Sequence, residues 1–168
     1  MKLLIKREAG NEFSFDVITI NCKNPPKEFK EISKKLPALV HGDVVLSDID
    51  DISDYLDSNF PNYKLSNQDP EAFKVQSNVF TRFTYLIKDV HNNPQALLDE
   101  LEKIDQFLRM RGTKYISGSQ ITGLDCSLWT KLQHIRVAAD YILRLAIPLD
   151  FSALWAYLGR RMADALDV

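Results

Sequence analysis

The second half of the chain repeats apolar residues at the three- and four-residue spacing of an amphipathic helix. One such stripe contains Leu97, Leu101, Ile104 and Leu108. Gly112 follows it, at the position where a helix typically ends. Other stripes with this spacing contain Val79, Phe80, Phe83, Leu86, Ile87 and Val90; Leu128, Leu132 and Ile135; and Phe151, Leu154, Trp155 and Leu158. From residue 71 onward, the pattern therefore predicts helices alone.

The first sixty residues carry strand signals as well. Residues 13–20 are rich in aromatic and β-branched side chains, and Phe13, Phe15 and Val17 alternate onto one face, which predicts a strand. Short apolar runs at 36–40 and 44–46 flank a His-Gly-Asp sequence. This arrangement predicts a β-hairpin with a tight turn.

Two helices are predicted around that hairpin. Pro25 and Pro26 favour a helix start, and the apolar positions after them are Phe29, Ile32 and Leu36. Ser47 and Asp50 have the spacing of a capping box, which predicts a second helix whose apolar positions are Ile49, Ile52 and Leu56. The resulting fold class is an α/β unit over residues 1–59, a linker at 60–70 rich in turn-forming residues, and an all-α unit over 71–168.

Composition narrows the function classes. The chain has 168 residues, with 21 Lys and Arg against 23 Asp and Glu, so its net charge is -2. With this balance the chain has no excess of positive charge of the kind that binds nucleic acid. Two cysteines cannot build a disulfide framework and favour a reducing, cytoplasmic location. The most apolar stretch, residues 141–149, is interrupted by Arg144 and Pro148, so we expect no membrane-spanning segment.

Metal sites are not predicted. Six aspartates lie between residues 43 and 57, but the glycine and closing glutamate of a calcium loop are missing from them. The three histidines have no zinc-like spacing with one another or with the cysteines. We interpret the aspartates as a solvated helix face, and His134 as a polar core or interface residue.

Thr122 and Asp125 have the Ser/Thr-x-x-acid spacing of a capping box, and we predict a structural role for them. The helix that they would start carries Cys126 and Trp129 beside its main apolar stripe. This helix is therefore expected to be buried on more than one side.

Several stretches resemble the chloride intracellular channel family, particularly its invertebrate members, which share the fold of glutathione transferases. The stretches are KYISGSQITGLDCSL at 114–128, KLQHIRV at 131–137, Ile-Pro at 147–148 and LWAY at 154–157, with looser matches of KLPAL at 35–39 and Ser-Asp at 47–48. The resemblance implies an incomplete thioredoxin-like unit followed by a glutathione-transferase-like helical domain. The first strand and the redox cysteine motif of that unit would lie outside this sequence, because neither Cys22 nor Cys126 is at the family's cysteine position.

The same resemblance implies a glutathione site. In thioredoxin-like folds a proline at the position of Pro37 is cis, and the backbone of the preceding residue, here Leu36, pairs with the cysteinyl part of glutathione. Asp48 matches the position of a group that holds the γ-glutamyl part, although the next residue is Ile49 instead of Ser or Thr. The alternatives are a trans proline at a strand start and an acid that stabilises a helix N-terminus.

Three functions follow from the resemblance. The first is a chloride channel-like protein whose cytoplasmic form, in the full-length family, associates with membrane lipid and conducts chloride. The second is a glutathione-dependent thiol oxidoreductase, whose required cysteine is absent here. The third is a non-catalytic scaffold that keeps only the helical half for binding partners. Cytoskeletal or homo-oligomeric partners are a separate expectation from the resemblance.

Overall fold

The computed structural model describes residues 13–62, 65–66, 69–88 and 93–166, together with Leu3, and describes the side chains of the last helix through Arg160. The chain divides into two compact units, Met1–Ser66 and Asn67–Val168. Val90, which belongs to one of the predicted apolar stripes, lies outside the described residues.

The described part of the first unit consists of two helices and a two-stranded antiparallel sheet. The elements are α1 (Lys27–Ile32), β1 (Leu39–His41), β2 (Val44–Leu46) and α2 (Ile49–Asn59). The predicted hairpin is confirmed, with Leu39 paired to Leu46 and His41 paired to Val44. Gly42 occupies the first turn position with φ 59°, a left-handed conformation that glycine adopts without steric cost.

The loop end of this hairpin is tied to α2. Nδ1 of His41 lies 2.8 Å from the hydroxyl of Tyr55, and their two rings meet edge-on. The ring of Phe60, which follows α2, lies 5.9 Å from that of His41 and 4.4 Å from that of Phe13. Aromatic contacts thus connect the beginning of the described chain, the hairpin and α2.

Two predictions about this unit were wrong. Residues 13–20 form no strand, because alternation alone does not make one, and the sheet contains only β1 and β2 among the described residues. The helix after Pro26 ends at Ile32 rather than continuing to Leu36. Ser33 is extended, and a residue that precedes proline, as Leu36 does, is sterically disfavoured in the helical region.

The start of α2 also differs from the prediction. Asp48, not Ser47, is the N-cap, and its carboxylate accepts hydrogen bonds from the backbone N–H groups of Asp50 and Asp51. A carboxylate satisfies two donors there and adds a favourable charge at the helix N-terminus, which a single hydroxyl does not. Asp57, which we expected on a solvated face, accepts the backbone N–H groups of Leu65 and Ser66.

The second unit is helical, as predicted. Its helices are α3 (Pro70–Gln76), α4 (Val79–Ile87), α5 (Pro94–Arg111), α6 (Gly123–His134), α7 (Asp140–Leu143) and α8 (Ser152–Leu166). A π-helical turn, Ile135–Ala139, joins α6 to α7, and Arg144 ends α7 in the left-handed conformation. The helix end predicted at Gly112 is confirmed, with φ 61°.

The core of this unit is formed by the predicted stripes. Buried side chains include Leu97, Leu101, Ile104, Leu108, Leu128, Trp129, Leu132, Ile135, Leu154 and Tyr157. Cys126, Leu128 and Trp129 point in different directions around α6 and are all buried, which confirms that this helix is covered on more than one side. His134, in contrast, is exposed at the end of α6, with Nδ1 2.7 Å from the backbone oxygen of Thr130.

One helix, α3, was missed because Pro70 resembled the end of a linker. Asp69 caps it, accepting the backbone N–H of Ala72 at 3.0 Å. Arg111, the last residue of α5, donates to the carboxylates of Asp69 and Glu71, and its guanidinium stacks over the ring of Phe107. The proline is compatible with the helix because its missing N–H belongs to the first turn.

Within the described residues, no helix combines the length and the apolar character that crossing a bilayer requires.

Candidate functional site

The candidate ligand residues of the first unit lie at the open end of the hairpin. Continuing the register beyond the Leu39–Leu46 pair brings Pro37 level with Asp48. The peptide bond between Leu36 and Pro37 is cis, and Leu36 is exposed. The hairpin therefore places the three residues Leu36, Pro37 and Asp48, which are distant in sequence, at the same end of the sheet.

The carboxylate of Asp48 is already partly used. Its Oδ1 accepts the backbone N–H of Asp50 at 2.8 Å and that of Asp51 at 3.3 Å. The next side chain, Ile49, is 60% exposed and has no group that donates a hydrogen bond. This end of the hairpin therefore offers a carboxylate to an ammonium group and an apolar surface where a ligand carboxylate would need a donor.

The two thiols lie in different environments. Cys22 is exposed, and its thiol lies 3.9 Å from the backbone oxygen of Ile20. Cys126 is buried in the first turn of α6. Cys22 is therefore the accessible thiol, and Cys126 is a core residue.

The predicted capping residues form the centre of a larger network in the second unit. Thr122 and Asp125 form a capping box at the start of α6, and Asp125 Oδ2 accepts both the backbone N–H and the hydroxyl of Thr122 at 2.8 Å. Oδ1 accepts the backbone N–H of Ile116 at 2.9 Å and the hydroxyl of Tyr157 at 2.8 Å. A single, fully buried carboxylate therefore holds together the loop before α6, the start of α6 and the middle of α8.

Tyr157 is held in its protonated state. Burial, followed by the charge of Asp125 and the hydrogen bond to it, strongly raises the pKa of the Tyr157 phenol. The phenol consequently serves as a permanent donor, and we assign the network to stability rather than to proton transfer.

A second buried acid, Asp105, was not recognised from the sequence. Its Oδ1 accepts the backbone N–H of Leu154 in the first turn of α8, and its Oδ2 lies 2.6 Å from a guanidinium nitrogen of Arg109. Asp105 stands four residues after Leu101, on the face that the apolar stripe marks as buried. That position was the available signal, because a buried acid normally has a partner.

Comparison with known families agrees with the two units. The glutathione S-transferase N-terminal domain matches residues 5–64, and the glutathione S-transferase C-terminal domain matches residues 93–160. The fold is thus an incomplete thioredoxin-like unit, as far as the described residues show it, followed by a glutathione-transferase-like helical domain.

Individual relatives narrow the family further. Chloride intracellular channel exl-1 of Caenorhabditis elegans is 30% identical over 163 residues, which cover 94% of this chain and 67% of the relative. The chain belongs to the chloride intracellular channel family. Chloride intracellular channel Clic of Drosophila melanogaster is 31% identical over 150 residues, covering 86% of this chain. The resemblance to invertebrate members of this family is therefore confirmed.

A solved structure and a plant relative place the family in its wider group. The crystal structure of the chloride intracellular channel homologue EXC-4 from C. elegans superposes with a TM-score of 0.80 at 26% identity, covering 93% of this chain and 65% of that one. The probable cytosolic glutathione S-transferase DHAR1 of Oryza sativa is 32% identical, covering 85% of this chain and 69% of the relative. The chain spans 57% of the length of the Drosophila protein.

Proposed function

We propose that the protein is a chloride intracellular channel-like protein, with a cytoplasmic form that associates reversibly with membrane lipid and conducts chloride in its full-length state. The observation that carries this proposal is the similarity to two invertebrate proteins named chloride intracellular channels. The different burial of side chains in the two units supports this proposal. Entry into a bilayer requires a rearrangement, and the first unit, in which few of the described side chains are buried, is the part that can rearrange at low cost.

The test is chloride efflux from vesicles that contain anionic lipid, with the whole chain added at neutral and at mildly acidic pH. We expect chloride to leave faster than gluconate. Val17→Lys, which puts a charge on an exposed apolar position of the first unit, is expected to reduce the flux. Leu149→Lys is the matched control at an exposed position of the second unit, and equal losses in the two variants, or no flux, contradict the proposal.

A second candidate function is glutathione-dependent thiol exchange, which the similarity to the rice DHAR1 protein favours. The proposed contacts are the backbone of Leu36 beside Pro37 and the carboxylate of Asp48. The residues present fit glutathione poorly, because Ile49 has no hydroxyl for the γ-glutamyl carboxylate. We therefore derive no reaction step through glutathione.

Calorimetric titration with glutathione tests whether Ile49 makes the site a poor fit for this ligand. We expect weak binding to this chain and tighter binding to Ile49→Ser, which restores a donor at the start of α2. Thiol-transferase activity of the same chain is expected to be absent. Activity that is lost in Cys22→Ser would show that the cysteine assignment is wrong.

A third candidate is a non-catalytic scaffold. The observation in its favour is the continuous core of the second unit, together with its buried hydrogen bonds. Cytoskeletal partners stay a prediction.

A further inference from the structure

We propose that α1 and the residues on either side of it dock on the surface of a membrane that contains anionic lipid. The contact is made by a group of lysines, called the lysine cluster below: Lys23, Lys27, Lys30, Lys34 and Lys35. This docking surface rests on the proposed association with membrane lipid, and it specifies the residues and the lipid charge behind that association.

The lysine cluster is a local excess of positive charge in a chain that is negative as a whole. Residues 22–36 contain five lysines against two glutamates, a net charge of +3. The whole chain has a net charge of -2, so the other residues together carry -5. Binding to an anionic surface therefore depends on which part of the chain faces that surface, and residues 22–36 are a part that it attracts.

The acidic residues of the first unit are concentrated in a different segment. Residues 43–57, which contain β2 and most of α2, include six aspartates and no lysine or arginine. The unit thus has one segment of each sign, and β1 lies between them in the sequence. An anionic surface attracts the first segment and repels the second, so this separation of charge favours one orientation of the unit on that surface.

The lysine side chains are accessible to a surface. All five members of the lysine cluster are exposed. Lys27 and Lys30 are three residues apart in α1, so they lie on the same face of that helix. Their ammonium groups are hydrogen-bond donors and carry the charge opposite to that of lipid phosphate and carboxylate groups. Each such group near an anionic membrane contributes to binding separately.

The backbone is fixed by side chains on both sides of α1. Before the helix, Oδ1 of Asn21 accepts the backbone N–H of Lys23 at 3.0 Å. After the helix, Oγ of Ser33 accepts the backbone N–H of Lys35 at 3.2 Å and donates to the backbone oxygen of Lys35 at 3.0 Å. These contacts hold the outer lysines close to the helix, so the cluster is presented as one group.

Apolar side chains among the lysines favour lipid over nucleic acid, which also attracts positive charge. Ile32, the last residue of α1, is 49% exposed, and Leu36 is 45% exposed. Such side chains are stabilised at the boundary between headgroups and acyl chains, while long lysine side chains keep their charge at the headgroups. Nucleic acid would satisfy the lysines through its phosphates and would leave these two apolar side chains in water.

Co-sedimentation of the full chain with vesicles tests the proposal. One set of vesicles contains phosphatidylcholine mixed with phosphatidylserine, and the other contains phosphatidylcholine alone. We expect binding to the vesicles with phosphatidylserine, and much weaker binding to phosphatidylcholine alone. Added salt should weaken the binding, because it screens charges that are exposed to solvent.

Two matched double variants identify the residues involved. Lys27→Gln combined with Lys30→Gln should weaken binding to phosphatidylserine vesicles about 25-fold, at about fivefold for each lysine. Lys74→Gln combined with Lys88→Gln removes the same charge from exposed positions of the second unit and should leave binding nearly unchanged. Glutamine has a helix propensity close to that of lysine, and circular dichroism of both variants establishes that the helices are intact.

Three other results would overturn the proposal in different ways. Equal weakening in the two double variants, or equal binding to the two kinds of vesicle, would exclude the lysine cluster and leave the proposed lipid association in place. A lack of binding to either kind of vesicle would contradict both. Binding to a duplex DNA oligonucleotide without binding to phosphatidylserine vesicles, lost in Lys27→Gln combined with Lys30→Gln, would assign the cluster to nucleic acid.

Discussion

The two units of the chain bury very different shares of their apolar side chains. In the described part of the first unit, the buried apolar residues are Leu56 and Leu65, whereas eight large apolar side chains are substantially exposed. The second unit has a continuous core that contains residues from α3 to α8. The strand predicted at 13–20 pairs with no other strand among the described residues, so its apolar side chains are not buried between packed elements as those of the second unit are.

This comparison predicts separate responses to mutation. Trp129 is 2% exposed, stacks against Tyr157 at 5.3 Å, and donates to the backbone oxygen of that residue. Trp129→Ala should lower the free energy of unfolding of the second unit by about 3–5 kcal/mol. Ile32→Ala, at a half-exposed position of the first unit, should change stability by less than about 0.5 kcal/mol. Thermal unfolding followed by far-UV circular dichroism compares the two, and similar losses would contradict the assignment of the core.

The Asp125 network is the next largest contribution. Asp125→Asn replaces one acceptor oxygen by a donor and leaves buried hydrogen-bonding groups without a partner, at a cost of about 2–3 kcal/mol. Asp150→Asn is the matched control, because Asp150 is exposed. Denaturant unfolding of both variants measures the difference. A loss in Asp150→Asn as large as that in Asp125→Asn would show that a carboxylate at position 125 is not specifically required.

The start of α3 gives the second unit a pH dependence. Burial opposes ionisation of Asp69, but the hydrogen bonds and charge of Arg111 together with the backbone donors outweigh it, so the pKa of Asp69 lies below its ordinary value of 3.8. The stabilisation is therefore present above about pH 4 and is lost as the pH falls through the lowered pKa. We expect Asp69→Ala to cost about 1 kcal/mol at pH 7, chiefly through the lost cap. The variant should also lose less stability than the unaltered protein when the pH is lowered from 5 to 2. An equal loss in both proteins would exclude a pH-dependent role for Asp69.

The smallest expected effects come from two glycine substitutions, one in each unit. Gly42 in the hairpin turn and Gly112 after α5 have nearly equal positive φ angles and open space where a Cβ would be. Alanine at either position should cost about 1 kcal/mol for the same conformational reason. Since the second unit has a large core, Gly112→Ala should only shift its unfolding midpoint. Gly42→Ala should visibly increase amide hydrogen exchange in β1 and β2, and equal exchange in the two variants would show that the hairpin is better packed than we infer.

The sequence predicted elements whose stability is local or repeated. The stripes of α4, α5 and α6, the end of α5 at Gly112 and the hairpin each depend on residues within a few positions of one another. Predictions failed where distant groups decide the outcome. Residues 13–20 needed a neighbouring strand, and the start of α2 moved to Asp48 because a carboxylate reaches two N–H groups.

The candidate sites show the same limit. The spacing of Thr122 and Asp125 predicted a local cap, but the hydroxyl of Tyr157 that completes the network is 32 positions away in the sequence. Neither helical nor strand periodicity predicts a contact between residues so far apart in the sequence. The positions of Leu36, Pro37 and Asp48 at one end of the hairpin follow from its register, and their proposed ligand contacts came only from the resemblance to the family.

The different burial of the two cysteines has a practical consequence. Of the two thiols in the sequence, Cys126 is buried in the second unit and Cys22 is exposed in the first. A maleimide fluorophore added to the unaltered protein should therefore attach selectively at Cys22. The chain thus carries a built-in labelling position in its first unit, where the emission colour of a polarity-sensitive dye can report on conformational change.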